Sequence, residues 1–275
     1  MSILEAIVLG VVQGLTEFLP ISSTAHLRIV PAFAGWPDPG AAFTAVTQIG
    51  TMAAVLIYFR VDLLRIARAW LASIRARERR PSDLDARLGW YIILGTIPIS
   101  IFGLAFKDQI ETSARSLYLI GGALIVFGLV LLLAERVAKR DRGLDAVTLR
   151  DGIGVGFAQA LALIPGVSRS GATISAGLFL GLKRDDAARF SFLLSIPAIV
   201  LSGLLELGTF LDESGGDEAG IVGLLVATFL AFVVGYASIA FLLRFLVTHT
   251  TGVFVAYRLV LGTVVIALTA TGAIA

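Results

Sequence analysis

The chain has 275 residues, of which 57% are hydrophobic and 15% charged, and its formal net charge is +2 at pH 7. A soluble domain carries roughly 25% charged residues, so the composition indicates an integral membrane protein. The absence of cysteine excludes disulfides, thiolate nucleophiles and cysteine metal sites. The basic residues cluster in loops between apolar runs, where membrane topology accounts for them, so we expect no nucleic-acid partner.

The chain opens with two short apolar runs on either side of a break. Residues 3 to 18 and 22 to 34 flank Leu19-Pro20. At 1.5 Å per residue these runs are about 24 and 20 Å long, against a hydrocarbon core of about 30 Å. Because neither run spans the core comfortably, the pair predicts a re-entrant hairpin whose broken tip is buried in protein or faces a wet cavity.

Three longer apolar runs follow, and each fits a full transmembrane helix: residues 41 to 59, 88 to 106 and 117 to 135. The segment from Arg60 to Arg87 is polar and rich in arginine, so we predict that it is a cytoplasmic loop. A short turn between Lys107 and Arg115 connects the other two spans.

A second broken segment runs from Gly152 to Leu182 and has Pro165-Gly166 at its centre. Basic residues on both sides place its two ends in the cytoplasm, which predicts a second re-entrant hairpin. Three further spans are predicted at residues 187 to 210, 221 to 246 and 252 to 274. The loop before residue 221 is expected outside because it is acidic, with Asp212, Glu213, Asp217 and Glu218.

The order of elements repeats: residues 3 to 135 run hairpin, span, span, span, and residues 152 to 274 do the same. A sequence echo between Gln13–Thr24 and Gln159–Ser170 supports the repeat. An odd number of crossings in each half inverts the second half, so that the two tips meet near the midplane. The sequence thus predicts an all-α integral membrane protein, with residues 1 to 275 forming one domain of six transmembrane helices and two re-entrant hairpins in an inverted repeat.

The two tips concentrate polar side chains in apolar surroundings. The first supplies Gln13, Glu17, Ser22, Ser23, Thr24 and His26, and the second supplies Ser168, Arg169, Ser170 and Thr173. A central membrane arginine costs roughly 2.5 to 3.5 kcal/mol, so such a residue is a functional candidate. An arginine fork beside two helix N-termini suits a phosphate, and a hydroxyl beside an imidazole is the minimal activated nucleophile.

A substrate with an anionic phosphate head and a long apolar tail fits such a site inside a membrane. Phosphoryl transfer depends mainly on charge stabilisation and positioning, which arginine and main-chain donors provide. A divalent cation held by Glu17 and by the substrate's own phosphates is consistent with this chemistry. Ser170 and Thr173 also have a structural interpretation, in which their hydroxyls bond the main chain of their own helix or join helices together.

Two runs resemble the defining motifs of the undecaprenyl-diphosphatase family, the bacitracin-resistance proteins: QGLTEFLPISSTAH from Gln13 to His26 and PGVSRSGAT from Pro165 to Thr173. The similarity extends over the whole chain and includes Gln48-Ile49-Gly50, Ser191 to Pro197 and Tyr257 to Gly262. The resemblance implies hydrolysis of undecaprenyl (polyprenyl) diphosphate to the monophosphate plus phosphate, which recycles the lipid carrier of cell-wall synthesis and confers bacitracin resistance.

The resemblance also implies a multi-pass protein of the plasma membrane with its active site open to the outer face, and it allows a homodimer. It implies a need for a divalent cation, Mg²⁺ or Ca²⁺, without a dedicated protein cage. The matching catalytic residues are Glu17, Ser23, His26 and Arg169, and the matching substrate-binding residues are Gln13, Ser22, Thr24, Ser168, Ser170 and Thr173. Many members have Glu where this chain has Gln13, which leaves Glu17 as the main metal ligand.

In the mechanism we expect, Arg169 holds the diphosphate and Ser23, activated by His26, attacks the terminal phosphorus. Glu17 binds a cation or shuttles a proton, and attack by water in place of Ser23 is left open. The alternative function is a polyprenyl-phosphate transporter or flippase, because inverted repeats with broken helices are transporter architecture. A serine and histidine pair beside an arginine favours the enzyme, since a transporter needs no nucleophile.

Overall fold

The computed structural model describes residues 1–77, 82–106, 116–213 and 218–274. Within these ranges the fold is all-helical. The α-helices, in chain order, are α1 (Ile3–Phe18), α2 (Ser23–Ala34), α3 (Gly40–Tyr58), α4 (Arg60–Arg75), α5 (Leu84–Ala105), α6 (Leu117–Val137), α7 (Leu149–Ala160), α8 (Arg169–Phe179), α9 (Arg184–Glu213), α10 (Glu218–Thr248) and α11 (Gly252–Ala270). The turn predicted between Lys107 and Arg115, and Asp217 of the acidic loop, lie outside the described residues.

Five of the described helices are long and apolar enough to cross a membrane. They are α5, α6, α11, α9 over Arg184–Gly203 and α10 over Ile221–Thr248. These five coincide with predicted spans, so the membrane class of the protein is confirmed. The remaining predicted span, residues 41 to 59, coincides with α3, in which the described apolar part is the shorter stretch Val46–Tyr58.

The helix break that the sequence predicts at Leu19-Pro20 is present. α1 begins with a capping box in which the Ser2 hydroxyl accepts from the Glu5 N–H and the Glu5 carboxylate accepts from the Ser2 N–H. The helix ends at Phe18 because Leu19, which precedes a proline, takes an extended conformation with φ −68° and ψ 143°. α2 then starts at Ser23 and returns.

The second hairpin breaks in the same place relative to its own motif. α7 passes into a single 3₁₀ turn, Leu161–Leu163, and the chain then turns at Pro165-Gly166. Gly166 has φ +96°, and a Cβ at this position would lie 2.6 Å from the Ile120 carbonyl oxygen, so glycine is required for both conformation and space. α8 starts at Arg169.

The prediction of a loop from Arg60 to Arg87 is wrong for most of that segment, because Arg60–Arg75 forms α4. Arginine, alanine and leucine are good helix formers, and the number of charges concealed a stripe that packs inward at Ile66 and Ser73. α5 likewise begins at Leu84, four residues earlier than predicted, because the Asp83 carboxylate caps its first turn.

Each hairpin's first helix packs closely on a long helix of the other half through glycine. A Cβ on Gly10 of α1 would lie 2.5 Å from the Ala227 carbonyl oxygen of α10. A Cβ on Gly156 of α7 would lie 2.2 Å from the Gly95 carbonyl oxygen of α5. Since membrane helices associate mainly by close packing, small residues at these crossings determine how near the hairpins approach the spans.

This packing predicts opposite effects for two glycines of α7. Gly156→Ala should destabilise the protein by about 1 to 3 kcal/mol, because its Cβ would overlap main-chain atoms that cannot move independently. A Cβ on Gly154 would meet nothing within 4 Å, so Gly154→Ala should be neutral or stabilising by up to about 1 kcal/mol through helix propensity. Thermal unfolding of the purified variants in detergent measures the order, and a Gly156→Ala variant as stable as Gly154→Ala would contradict it.

Candidate active site

The C-terminal end of α1 and the N-terminal ends of α2 and α8 converge at one place. Ser22 and Ser168 are the N-caps of α2 and α8, and their hydroxyls accept from the main-chain N–H groups of Ala25 and Gly171. Both serines have positive φ, 76° and 72°, which is strained for a residue with a side chain. Such strain is found where the surroundings over-determine the backbone, and that is commonly a functional site.

Glu17, the last polar residue of α1, is the centre of the hydrogen-bond network. Its side chain is buried, with 9% of the residue exposed. The Ser23 hydroxyl donates to Glu17 Oε2 over 2.6 Å, and Gln13 Nε2, one turn earlier on α1, donates to the same oxygen over 3.2 Å. A short hydrogen bond between a hydroxyl and a carboxylate prepares that hydroxyl to lose its proton.

Two donors from other helices reach the second oxygen of Glu17. Arg169 Nη2, from the first residue of α8, lies 3.3 Å from Glu17 Oε1 and forms an ion pair with it. Gln48 Nε2, from α3, donates to the same oxygen over 3.4 Å. Glu17 therefore joins both hairpins and α3 through a single carboxylate.

The hydroxyls of the second tip have separate tasks. Ser170 Oγ donates to the Leu19 carbonyl oxygen over 3.0 Å and so links the two tips, and it lies 3.2 Å from Ser168 Oγ. Thr173 Oγ1 donates to the Arg169 carbonyl oxygen within its own helix and contacts the Ser191 hydroxyl of α9. Both parts of the structural interpretation are therefore observed, because Thr173 bonds the main chain of its own helix and Ser170 joins the two tips.

His26 lies in the first tip, but its ring nitrogens face other partners than Ser23. Nδ1 is 2.7 Å from the Ser22 carbonyl oxygen, which only accepts, so Nδ1 carries a proton. In the neutral ring Nε2 then accepts from the Tyr257 hydroxyl over 2.7 Å. Because Ser22 is the N-cap and Ser23 turns towards α1, the base that contacts Ser23 here is Glu17, and the expected pair of Ser23 with His26 is not the arrangement observed.

A narrow cleft opens beside the Glu17 and Arg169 pair. The empty volume of the cleft, counted together with its solvent-open mouth, is about 210 Å³. Its walls are formed by Glu17, Phe18, Arg169, Ser170, Ser191, Phe192, Ser195 and Ile199. The cleft is therefore charged at one end, and along α9 it is lined by two serines, a phenylalanine and an isoleucine. Thr24 lies half-buried in the first turn of α2 and is not part of these walls.

The donor set around Glu17 fits a hard divalent cation. Among the described residues there is no group of three or more histidine, cysteine, aspartate or glutamate side chains that could hold a metal. Within the same residues, however, Oε1 of Gln13 is buried and has no hydrogen-bond partner. A carboxylate and an unpartnered amide oxygen one turn apart are the oxygen ligands that Mg²⁺ and Ca²⁺ prefer, with phosphates or water completing the shell.

Comparison with known proteins identifies the family. The family model of the bacitracin resistance protein BacA matches residues 6–264, which is nearly the whole chain. The chain belongs to the BacA family. Its relatives include proteins named undecaprenyl-diphosphatase from Mycolicibacterium smegmatis, 56% identical over 100% of this chain and 99% of the relative, and from Chlorobaculum parvum, 53% identical over 99% of each. The resemblance drawn from the two motifs is thus confirmed.

Sequence patterns did not indicate a role for two residues of this candidate site, Gln48 and Tyr257, or for Arg258 beside it. Gln48, Tyr257 and Arg258 lie in runs that carry the family resemblance, but their spacing predicts no function for them. A glutamine and an arginine inside apolar helices are themselves signals, because polar groups in a membrane need partners. The partners could not be predicted from the sequence, since Tyr257 meets a residue 231 positions away.

The ion pair predicts a coupling between Arg169 and Glu17. Arg169→Met should lower stability by about 1 to 3 kcal/mol, because it leaves a buried carboxylate without its cation. Adding Glu17→Gln removes the unpaired charge, so the double variant should regain at least half of that loss. Thermal unfolding in detergent measures the stability of the wild type, the two single variants and the double variant.

The matched control for this cycle is the pair Arg65 and Asp85, in which the Arg65 side chain is 58% exposed. Because exposed ion pairs contribute little, Arg65→Met should leave the unfolding temperature within error. Strictly additive effects of Arg169→Met and Glu17→Gln would disprove the coupling.

Proposed function

We propose that this chain is a membrane enzyme that hydrolyses undecaprenyl (polyprenyl) diphosphate to the monophosphate and inorganic phosphate. The observation that carries the proposal is the contact of a serine hydroxyl with a buried carboxylate, 2.6 Å away, beside an arginine and two helix N-termini. Relatives of the same length, from several bacteria, bear the name undecaprenyl-diphosphatase. In the cell this reaction recycles the lipid carrier of cell-wall synthesis and confers resistance to bacitracin.

The anionic head of the substrate binds at the two tips. The first N–H groups of α2 and α8 have no partners within their helices, and their dipoles favour negative charge. A guanidinium has five N–H donors, so the bond between Arg169 and Glu17 leaves donors for phosphate oxygens. Ser170 lines the cleft beside Arg169, whereas Ser168 and Thr24 lie at the starts of the same two helices and do not line it.

The reaction starts when Ser23 Oγ attacks the terminal phosphorus. Its proton passes to Glu17 Oε2, with which it already shares a hydrogen bond, and a bond forms between Oγ and phosphorus. The bridging P–O bond breaks, and the electron pair leaves with the lipid monophosphate. Water then attacks the phosphoserine and becomes part of the released phosphate, and Glu17 returns its proton to the departing Oγ, which restores the serine hydroxyl and the carboxylate. In the variant mechanism, water deprotonated by Glu17 attacks phosphorus directly.

We propose that His26 stabilises the backbone conformation of the first tip. Its Nδ1 donates to the carbonyl oxygen of the strained cap Ser22, and this bond holds the start of α2 in place. The Tyr257 hydroxyl holds the other side of the ring. We therefore assign the activation of Ser23 to Glu17, and to His26 the orientation of the helix end that presents Ser23.

Glu17 and the Oε1 atom of Gln13 would hold a divalent cation, Mg²⁺ or Ca²⁺. When bound, this ion supplies positive charge that neutralises the diphosphate oxygens. Because the protein would provide only a few ligands, phosphate oxygens of the substrate would be needed to complete the coordination. The amide at residue 13 makes the protein contribution weaker than two carboxylates would be.

We propose one membrane domain of two inverted repeats, with six spans and two re-entrant hairpins, in the plasma membrane. Two features support the repeat: the caps Ser22 and Ser168 share the same unusual backbone conformation, and each hairpin packs through glycine on a span of the other half. α3 is the sixth span. The family resemblance supports a site open to the outer face and allows a homodimer.

Phosphate release from undecaprenyl diphosphate by the purified protein in detergent tests the activity. We expect release to require Mg²⁺ or Ca²⁺, and Arg169→Ala to lower kcat/KM roughly 100- to 1000-fold, because a donor to the developing charge is lost. Ser23→Ala should reduce release to background, whereas Ser202→Ala, whose hydroxyl donates to the Ile199 carbonyl oxygen of its own helix, should keep full activity.

Two outcomes would change the assignment. If Ser23→Ala retains activity, the nucleophile that attacks phosphorus is water and not Ser23. If the folded wild type releases no phosphate, the proposed enzymatic activity is wrong. Transport of polyprenyl phosphate across liposome membranes would then test the alternative function of a transporter or flippase.

The cation site predicts a gain of affinity on substitution of Gln13. Gln13→Glu adds a second carboxylate one turn from Glu17, so half-maximal activity should need about tenfold less Mg²⁺. Gln13→Leu removes the amide oxygen and should shift the requirement in the opposite direction. Titration of activity against free Mg²⁺ measures both, and identical curves for the three proteins would show that residue 13 holds no cation.

A further inference from the structure

Arg258 on α11 is fully buried, with 0% of the residue exposed, yet the site described above does not use it. In the part of the chain that the structure describes, its hydrogen bonds go to main-chain carbonyl oxygens alone. An arginine within a transmembrane helix requires partners, and carbonyl oxygens can supply them where the backbone is not helical.

Three of the five carbonyls that Arg258 binds belong to the two hairpin tips, and the other two, of Ala123 and Leu124, belong to α6. Nη1 donates to the Pro20 carbonyl oxygen over 3.1 Å, in the first tip. Nη2 donates to the carbonyl oxygens of Gly166 over 2.9 Å and Val167 over 3.0 Å, in the second tip. Nε donates to the Leu124 carbonyl oxygen of α6 over 3.2 Å, which anchors the guanidinium to a span.

These bonds lie directly beside the strained caps. The Val167 carbonyl belongs to the peptide group that precedes Ser168, and Pro20 lies two residues before Ser22. Fixing the Val167 carbonyl fixes the peptide plane that leads into Ser168, and fixing the Pro20 carbonyl fixes the plane one residue before the one that leads into Ser22. A backbone conformation of this kind persists only where neighbouring contacts hold it, and the guanidinium makes such contacts on both sides.

A glycine in α8 leaves the space that the Arg258 guanidinium occupies. A Cβ on Gly171, in the first turn of α8, would lie 3.0 Å from Arg258 Nη1. The preceding residue of α11, Tyr257, donates to His26. One turn of α11 therefore contacts the first tip through two side chains and the second tip through one.

We propose that Arg258 is a positioning residue that ties the two hairpin tips together and so brings Ser23 and Arg169 to the same phosphate. It does not touch the substrate and acts through the main chain of the tips. The catalytic part of this inference rests on the proposed function, whereas the structural part, that one side chain sets the distance between the tips, does not.

Three variants and two readouts test the proposal. In Arg258→Met, Arg258→Gln and Arg258→Lys the side chain can reach fewer carbonyls than the guanidinium. We expect kcat to fall about 100-fold in Arg258→Met and about tenfold in Arg258→Lys, with KM within about threefold, because displaced tips misalign the reacting groups. Arg244→Met, which removes an exposed arginine from α10, is the matched control and should keep wild-type kcat.

The second readout is the distance between the two tips, and it does not depend on enzymatic activity. The chain has no cysteine, so spin labels can be attached to cysteines introduced at Leu15 and Ile164, which are 44% and 43% exposed and lie near the two tips. Electron–electron double resonance should give one narrow distance distribution with Arg258 present and a broadened or shifted one in Arg258→Lys. A purely structural arginine would reduce the yield of folded protein but change neither kcat per folded molecule nor this distance.

Every result of these measurements either supports or overturns the positioning role of Arg258. Wild-type kcat and an unchanged label distance in any folded variant at Arg258 would overturn the proposal, and so would failure of all three variants to fold, which would assign Arg258 to folding alone. If the wild type releases no phosphate, the proposed function fails, and the label distances still test whether Arg258 ties the tips.

Discussion

The organisation of this protein follows from two helix breaks in apolar surroundings. A broken helix exposes main-chain N–H and C=O groups, and each one left unpaired in a hydrocarbon environment costs several kcal/mol. Side chains supply the missing partners here: Ser22 and Ser168 cap the returning helices, Ser170 binds the Leu19 carbonyl, and Arg258 binds carbonyls of both tips. The polar cluster is thus required by the architecture before any substrate binds, and the site is built from it.

The two arginines of the cluster differ in how fully they are bonded, and this separates their tasks. Arg258 is completely buried and uses Nε, Nη1 and Nη2 on carbonyl oxygens. The side chain of Arg169 is 19% exposed, faces the cleft and makes its ion pair with Glu17 through Nη2. An arginine with donors to spare beside an opening can bind phosphate, whereas one saturated by the main chain can only hold structure.

Local signals in the sequence predicted the two helix breaks well and the contacts between segments poorly. The ends of α1, α2 and α8 follow from Leu19-Pro20 and from Pro165-Gly166 with Ser168, because proline, glycine and a capping serine act within a few residues. α4 was missed since its charges outnumber the apolar residues that pack inward. The partner of His26 was also missed, because helical spacing brought Ser23 near it while the fold brought Tyr257.

The ties between the tips also bear on the choice between enzyme and transporter. Alternating access in inverted-repeat transporters moves one repeat against the other around a central site. In this fold a single guanidinium on α11 holds carbonyls of both hairpins, and Ser170 adds a bond from the second tip to Leu19 of the first. Motion of one hairpin against the other would break several of these bonds at once in a medium that offers no replacement. A rigid pair of tips suits chemistry, because preorganised donors need no rearrangement as charge develops on the reacting phosphate.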